Sequence, residues 1–475
     1  MLNTQETIKH MYKIKFGTDG WREIIADNYT VENLTRVAHA TGLWILNSTE
    51  NKTCTVGYDC RFGGKIFAET TAKVLANQGI KVFLSNNVCS TPMISLANVE
   101  FNTFAGVIIT ASHNPASYNG YKIKASYGGP AVPTEIEKIE TLIDYKELPQ
   151  LLPLEFYIEK DLIEYSDFEK LYLNQIANKF DLTKLKQYAP HFGYDAMFGA
   201  GQNVIKNLLP NAHLLHCEIN PSFNDTAPEP ILKNLQEFSS LIKNNAEILC
   251  GLATDGDADR IGFFDSKGQF VDSHHLILLL MQYLTKYKGL SGKIIKSFSV
   301  SNKIDKLAQH IGLETITTKI GFKYICEYMI TDDVLIGAEE SGGIAVKGHI
   351  PERDGIWMGL LILEYMAVTG KSIEELIAET YEIVGPFAVE RYDLHIKEEQ
   401  KQTIIANCKA NSYKSFGKYQ IERTEYLDGF KYHLGNEEWV MIRPSGTEPV
   451  LRVYAESITS AKAYEILDAC KDTIL

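Results

Sequence analysis

Long apolar runs, paired cysteines and an excess of positive charge are all missing from this 475-residue chain. Its most apolar stretch, around Leu276 to Leu280, is far shorter than the ~20 residues a membrane-spanning helix needs, so no membrane association is expected. The N-terminal segment from Met1 to Lys15 mixes polar and apolar residues without a continuous apolar core, which argues against a signal or transit peptide. The eight cysteines (Cys54, Cys60, Cys89, Cys217, Cys250, Cys326, Cys408 and Cys470) are scattered and form no Cys-x-x-Cys pair. Structural zinc and a disulfide framework are therefore not expected, and a reduced cytoplasmic location is the default. With 47 Lys and Arg against 60 Asp and Glu, the formal charge is -13, and a nucleic-acid partner is not expected because a phosphate backbone wants a basic face. A small anionic substrate needs only a local cluster of arginine and lysine and stays open.

What is present is the composition of a folded protein, 45% hydrophobic and 23% charged, with no low-complexity tract. The length exceeds one core, and domain sizes allow roughly three or four units. Short β-rich runs alternate with helix-like segments: Cys54 to Tyr58, Ile80 to Leu84 and Ala105 to Ile109 read as strands, with helical spacing over Ile66 to Gln78. The alternation recurs at Phe192 to Phe198 and Val204 to Leu209, then at Lys293 to Phe298, Lys303 to Ile311 and Val334 to Gly337. It predicts parallel sheets flanked by helices. The tail differs. A helix over Ile373 to Ile383 is followed by strands at Val389 to Leu394, Glu437 to Ile442 and Leu451 to Tyr454, and a closing helix from Ser460 to Ile474. The expected fold class is α/β: three successive α/β domains with mixed or parallel sheets (1–150, 151–252 and 253–375), plus a C-terminal α+β domain (376–475).

Two stretches carry most of the chemistry. Thr110-Ala111-Ser112-His113-Asn114-Pro115 places a hydroxyl in a polar turn after the apolar run Gly106 to Ile109, and Lys122 supplies a cation ten positions on. A serine before Asn-Pro commonly just caps a turn or helix. The Gly-x-Ser-x-Gly elbow of a lipase-type nucleophile is absent around it. Asp255-Gly256-Asp257-Ala258-Asp259-Arg260 sets carboxylates at alternate positions, which share a side in an extended loop and can converge on one cation. An EF-hand is excluded because Arg260 and Ser266 occupy the positions where that loop needs Gly and Glu. Few carboxylates, with room left for a phosphate oxygen and water, suit magnesium. Arg260 lies close enough in sequence to help neutralise a phosphate.

Three further loops look like ligand contacts. In Arg443-Pro444-Ser445-Gly446-Thr447-Glu448-Pro449, Gly446 lets backbone approach an anion while Arg443, Ser445 and Thr447 offer donors. Paired acids in Gly337-Ala338-Glu339-Glu340-Ser341-Gly342-Gly343 can accept hydrogen bonds from sugar hydroxyls. Phe16-Gly17-Thr18-Asp19-Gly20-Trp21-Arg22 is a glycine-supported loop presenting Arg22.

The order of these motifs along the chain resembles the α-D-phosphohexomutase superfamily of phosphoglucomutases, phosphomannomutases and phosphoglucosamine mutases. The likeness runs from Phe16 to about Glu456 and takes in Pro221-Ser222-Phe223, Pro228-Glu229-Pro230 and Gly321-Phe322-Lys323-Tyr324-Ile325. It implies four domains around a central active-site cleft, the last a mobile cap. It implies that Ser112 is the phosphorylated serine, and that Ser112, Asp255, Asp257 and Asp259 form the shell of one Mg2+ per chain. Arg22, His113, Lys122 and Arg260 would line the transfer site, while Glu339 and Ser341 would hold sugar hydroxyls. Arg443, Ser445, Gly446 and Thr447 would grip the non-reacting phosphate.

The implied reaction moves phosphate between O1 and O6 of a hexose through a hexose 1,6-bisphosphate, with a small-molecule hexose phosphate as partner and a monomer or weak homodimer as assembly. The segment His349 to Ile356 is closer to phosphoglucomutases, which commonly place Lys where Arg353 stands. Arginine is too basic for routine proton transfer, so Arg353 and Lys323 are expected substrate contacts, with Lys323 and His349 left as candidates for the second proton transfer. A phosphoglucosamine mutase, a magnesium-dependent sugar phosphatase using the same site, and a noncatalytic sugar-phosphate sensor are the competing functions.

Overall fold

A computed structural model describes residues 12–17, 19–444 and 450–475. The first sheet comprises β1 (Trp21–Ile24), β2 (Thr53–Tyr58), β3 (Lys81–Ser85), β4 (Ala105–Ile109), β5 (Tyr118–Ala125) and β6 (Ile163–Ser166), in the order β1-β5-β4-β2-β3-β6. The second comprises β7 (Phe192–Asp195), β8 (His213–Leu215), β9 (Cys250–Thr254), β10 (Ile261–Phe264) and β11 (Phe270–Val271), ordered β11-β10-β9-β7-β8. The third contains β12 (Lys293–Ser297), β13 (Thr315–Thr318), β14 (Val334–Ala338) and β15 (Ile344–Val346), ordered β13-β12-β14-β15.

These sheets share one plan. The segments β5-β4-β2-β3, β10-β9-β7-β8 and β15-β14-β12-β13 have the same order, with three parallel strands followed by one antiparallel partner. Relatedness among the three units, invisible as sequence repeats, is thus evident in topology. Parallel strands are covered on both faces and read as unbroken apolar runs; every residue of β4, β9 and β14 is buried accordingly.

The fourth sheet is wholly antiparallel: β16 (Ala388–His395), β19 (Arg423–Tyr426), β20 (Phe430–Gly435), β21 (Glu438–Pro444) and β22 (Val450–Ser457), ordered β16-β22-β21-β20-β19. A two-stranded ribbon, β17 (Ser415–Phe416) with β18 (Tyr419–Gln420), stands beside it. The closing helix Ser460–Ile474 packs its apolar face on this sheet.

The α/β and α+β architecture is as the sequence predicts, while strand pairing and helix packing run across the expected unit limits. The break after residue 150 precedes β6, which pairs in parallel with β3 and so completes the first sheet. The break after residue 252 falls inside β9, and the break after residue 375 falls inside the helix Ile373–Val384, whose Ile373, Leu376 and Val384 enter the core of the second and third units. At the first and third limits a short edge strand and a trailing helix are recruited by pairing or packing that no local composition change marks; at the second a central strand is cut. The strand expected to reach Phe198 ends at Asp195, because Met197 and Phe198 turn left-handed with φ of 47° and 58°. Among the described residues no single helix is long and apolar enough to cross a membrane.

Candidate active site

Ligands of α/β sheets gather beyond the carboxyl ends of parallel strands. In all three units the loop that leaves the last parallel strand for its antiparallel neighbour carries candidate residues: β4 to β5 holds Ser112, β9 to β10 holds the aspartates, and β14 to β15 holds Glu339 and Ser341. The loops meet. Ser112 Oγ donates to Asp255 Oδ2 at 2.7 Å, and the Ile261 amide donates to the Gly342 carbonyl at 3.1 Å. Gly256 permits the first approach, since a Cβ there would stand 2.5 Å from the Ser112 carbonyl oxygen. Ser112 and Ala258 both hold left-handed backbone, φ 52° and 57°. Such positions cost about 1–3 kcal/mol in a non-glycine residue and persist only when their surroundings fix them.

Asp255, Asp257 and Asp259 are buried, and each offers a carboxylate oxygen within 4.8 Å of the others. Their remaining atoms are committed asymmetrically. Asp255 Oδ1 accepts the amides of Asp259 and Arg260 at 2.9 and 3.0 Å. Asp257 Oδ2 accepts from the Thr91 hydroxyl and from Lys122 at 2.7 Å. Asp257 Oδ1 and Asp259 Oδ1 are buried without a hydrogen-bond partner. Bare anionic oxygens in a dry pocket are costly unless something positive meets them. An all-oxygen set of three carboxylates and a serine hydroxyl fits a hard divalent cation such as magnesium.

A ring of cations surrounds the carboxylates. Lys122 Nζ lies 2.7, 3.0 and 2.9 Å from Asp257, Asp259 and Asp19. Arg353 reaches Asp259 at 2.7 Å and Asp19 at 2.5 Å, joining the third unit to the first. Burial opposes the Lys122 charge, but Asp19, Asp257 and Asp259 outweigh it and lift the ammonium above its ordinary pKa. Burial, then Arg260, Arg22 and Lys122, hold His113 well below the usual imidazole range, so its ring is neutral near pH 7; its Nδ1 lies 3.3 Å from Ser112 Oγ. Arg22 donates to Asn114 Oδ1 at 2.9 Å, and Arg260 faces Glu229 at 3.5 Å.

Other expected residues fall less centrally. Glu339 is buried, its carboxyl lifted to about 7 by burial, and it accepts the Gly321 amide at 3.0 Å. Its neighbour Glu340 is already taken by Ser299 at 2.6 Å and Tyr454 at 3.3 Å, so the pair is not a matched sugar clamp. Ser341 is half-buried in the same loop. Lys323 sits at the start of the helix Phe322–Thr331 with its ammonium over the Tyr324 ring. His349, one of two candidates for the second proton transfer, stacks on Trp357 at 3.7 Å and bonds Asp354 at 2.8 Å with its side chain buried. Arg443, at the end of β21, faces Asp428 at 3.4 Å, while Ser445, Gly446 and Thr447 lie outside the described residues.

Sequence reading missed Asp19, Thr91, Asp59 and Arg61. The last two had a signal: a charged Asp-x-Arg directly follows strand β2, at the end of a parallel strand where ligands gather.

Comparisons with known proteins agree with this geometry. Residues 13–150, 170–268, 272–384 and 399–472 match, in order, the families described as phosphoglucomutase/phosphomannomutase alpha/beta/alpha domains I, II and III and the C-terminal domain. A solved protein from Thermus thermophilus, provisionally named a phosphomannomutase, is 31% identical with a TM-score of 0.86, covering 98% of this chain and 99% of that one. The chain belongs to the α-D-phosphohexomutase superfamily. It is therefore an isomerase of the phosphoglucomutase/phosphomannomutase type. A phosphoglucomutase/phosphomannomutase from Thermococcus kodakarensis is 29% identical over 462 residues, 95% of this chain and 96% of that one. A phosphoglucosamine mutase from Carboxydothermus hydrogenoformans is 28% identical over 473 residues, 95% of this chain and 97% of that one. Phosphohexomutases of both specificities thus stand about equally near.

Proposed function

We propose that this phosphohexomutase interconverts hexose 1- and 6-phosphates, glucose phosphate first and mannose phosphate second, through phosphorylated Ser112 and a hexose 1,6-bisphosphate. The observation that carries the reading is Ser112 Oγ at 2.7 Å from an aspartate whose partners leave two bare carboxylate oxygens beside it. A phosphoserine carries about -1.5 to -2 charge, and the substrate adds similar charge. Arg22, Lys122, Arg260 and Arg353 are the groups placed to offset both. Ser112, Asp255, Asp257 and Asp259 would hold one Mg2+, which when bound neutralises charge on the transferring phosphoryl group.

In the first step a sugar hydroxyl oxygen forms a bond to phosphorus as the bond from phosphorus to Oγ breaks. The proton lost by the sugar ends on Oγ. The bisphosphate turns over, and Oγ then attacks its other phosphate with the reverse proton movement. Neutral His113 is placed to accept a hydrogen bond from Oγ, while burial and the surrounding cations oppose its protonation, and Lys122, raised by three carboxylates, serves as a fixed cation. Transfer of this kind is mainly positioning and charge stabilisation. Arg443 with Ser445, Gly446 and Thr447 would grip the distal phosphate, and Glu339 with Ser341 the sugar hydroxyls.

A second specificity, for glucosamine phosphate, is favoured by the near-equal likeness to a phosphoglucosamine mutase across 95% of the chain. Turnover of glucose, mannose and glucosamine 1-phosphates with a trace of the matching 1,6-bisphosphate separates these readings; release of free phosphate at the rate of substrate loss would replace the mutase by a phosphatase. Ser112→Ala should lose the phosphate adduct by intact mass and nearly all turnover. An adduct that survives the substitution moves the nucleophile elsewhere.

A further inference from the structure

A single buried side chain donates to four carbonyls of the serine loop. Arg61 Nη2 donates to the carbonyls of Ser112 at 2.6 Å and Asn114 at 2.7 Å, and Nη1 to those of Pro115 at 2.8 Å and Tyr118 at 3.0 Å. Behind it, Arg61 Nε lies 3.3 Å from Asp59 Oδ2, with both side chains fully buried. That same Asp59 oxygen accepts the Thr110 hydroxyl at 2.5 Å, and Thr110 Oγ1 accepts the Ser112 amide at 2.9 Å. The Ser112 peptide is thus held from both sides, its N–H through Thr110 to Asp59 and its C=O directly by Arg61. The Phe223 ring of the second unit covers the guanidinium at 4.9 Å.

We infer that Arg61 is a positioning residue for phosphoryl transfer, holding Ser112 in its left-handed conformation with Oγ aimed at the aspartate triplet; this rests on the mutase reading above. The physical reason is that four carbonyl oxygens, the negative ends of four dipoles, converge within one small volume. They repel one another unless a cation sits among them. Only a planar fork with several fixed donors satisfies all four at once; a lysine ammonium presents three donors from one point. The terminal nitrogens of Arg61 are spent on these carbonyls and its Nε faces Asp59, so its influence on the reaction passes through the Ser112 backbone.

The test compares wild type with Arg61→Lys, which keeps the charge and removes the fork, and with Phe223→Leu, which leaves the fork and removes the aromatic cover. Arg61→Lys should lower kcat about 100-fold, the size expected for a reacting group displaced by about 1 Å, with KM for hexose 1-phosphate within about threefold. In the same unphosphorylated chain, amide hydrogen exchange over 110–118 should accelerate at least about tenfold with the other peptides unchanged. Phe223→Leu should give a smaller change of the same pattern. Loop exchange at the wild-type rate, acceleration spread over the whole chain, or a KM rise matching the kcat loss would each overturn the proposal. Should Arg61→Lys not fold, unaltered loop exchange and kcat in Phe223→Leu would overturn it equally. A wild-type protein that fails to interconvert hexose phosphates sinks the mutase reading instead, while the exchange result still decides the role of Arg61 in the loop.

Discussion

Thr91 and Lys122 both reach Asp257 Oδ2, leaving Oδ1 of the same carboxylate bare. Burial alone would raise this group, yet Lys122 and Thr91 outweigh it and hold Asp257 below the ordinary carboxylate range. Asp257 is therefore anionic with one oxygen free of protein donors, as a cation ligand requires. Asp257→Asn keeps the shape and the bond to Thr91 while removing the charge. The magnesium concentration giving half-maximal turnover should rise at least about tenfold, the loss that even an outer-shell change produces. Calorimetric titration of magnesium should weaken in parallel, and an unaltered titration would remove Asp257 from the shell. At this scale the sequence was nearly sufficient for the triplet, since alternate aspartates carry their own geometric logic. It did not reveal Thr91, which reaches the site only because its helix, Thr91–Glu100, starts against the metal loop and donates its first amide to the Asp257 carbonyl at 3.0 Å.

The candidate site rests on a recurring element: a loop that turns from a parallel strand into an antiparallel neighbour, built three times, with the loops meeting. Convergence depends on backbone approach, and Gly256 is where two of these loops nearly touch. Gly256→Ala puts a methyl group 2.5 Å from the Ser112 carbonyl oxygen, a backbone atom that cannot swing aside. Ser112 and the aspartates should separate. The expected outcome is at least about a hundredfold loss of kcat with circular dichroism and thermal unfolding little changed, as for misplacement of reacting groups in an intact fold. Full activity in Gly256→Ala would show that the two loops need not approach this closely. The sequence made β4 and β14 legible through their apolar runs, but not β9, where a unit limit was expected instead. It could not show that their loops share an end of the molecule, because that follows from strand order.

Across the whole molecule, the fourth unit is fastened to the third by a buried patch of mixed character. Phe298 packs with Trp439, Met441 and Tyr454, and Lys431 lies over the Trp439 and Phe298 rings at 4.2 and 4.8 Å. Glu437 pairs with Lys303 and Lys306, and Ile320 donates to Asp428 at 2.9 Å. Burial, then Lys296, push Lys431 down to about 7, against the attraction of Glu456, Glu425 and Asp305. Its folded pKa is thus below the unfolded 10.5, so between pH 7 and 10.5 the unfolded chain binds the extra proton. The contribution to stability therefore rises with pH through that window, by at most about 1.4 kcal/mol per pH unit, and the cost of the buried charge is felt in full below it. Exchange protection of Phe430–Gly435, corrected for intrinsic rates, should grow from pH 7 to 9 in wild type and stay flat in Lys431→Met. An equal rise in both would assign the dependence to another group.

Residue order was enough for the alternation of strands and helices, the α+β tail, the candidacy of Ser112 and the three aspartates, and the resemblance to a phosphoryl-transferring family. These are local facts, fixed by the period of apolar residues and by residues whose chemistry needs a particular spacing. Tertiary structure alone decided that β6 closes the first sheet, that the aspartate loop belongs to the second, that Glu340 serves the fourth unit and that His349 is packed against Trp357. It also decided that Arg61, 51 residues before Ser112, holds that residue's carbonyl. Most of these contacts join residues far apart in the chain, and their free energy comes from burial and convergent dipoles that exist only once the sheets have assembled.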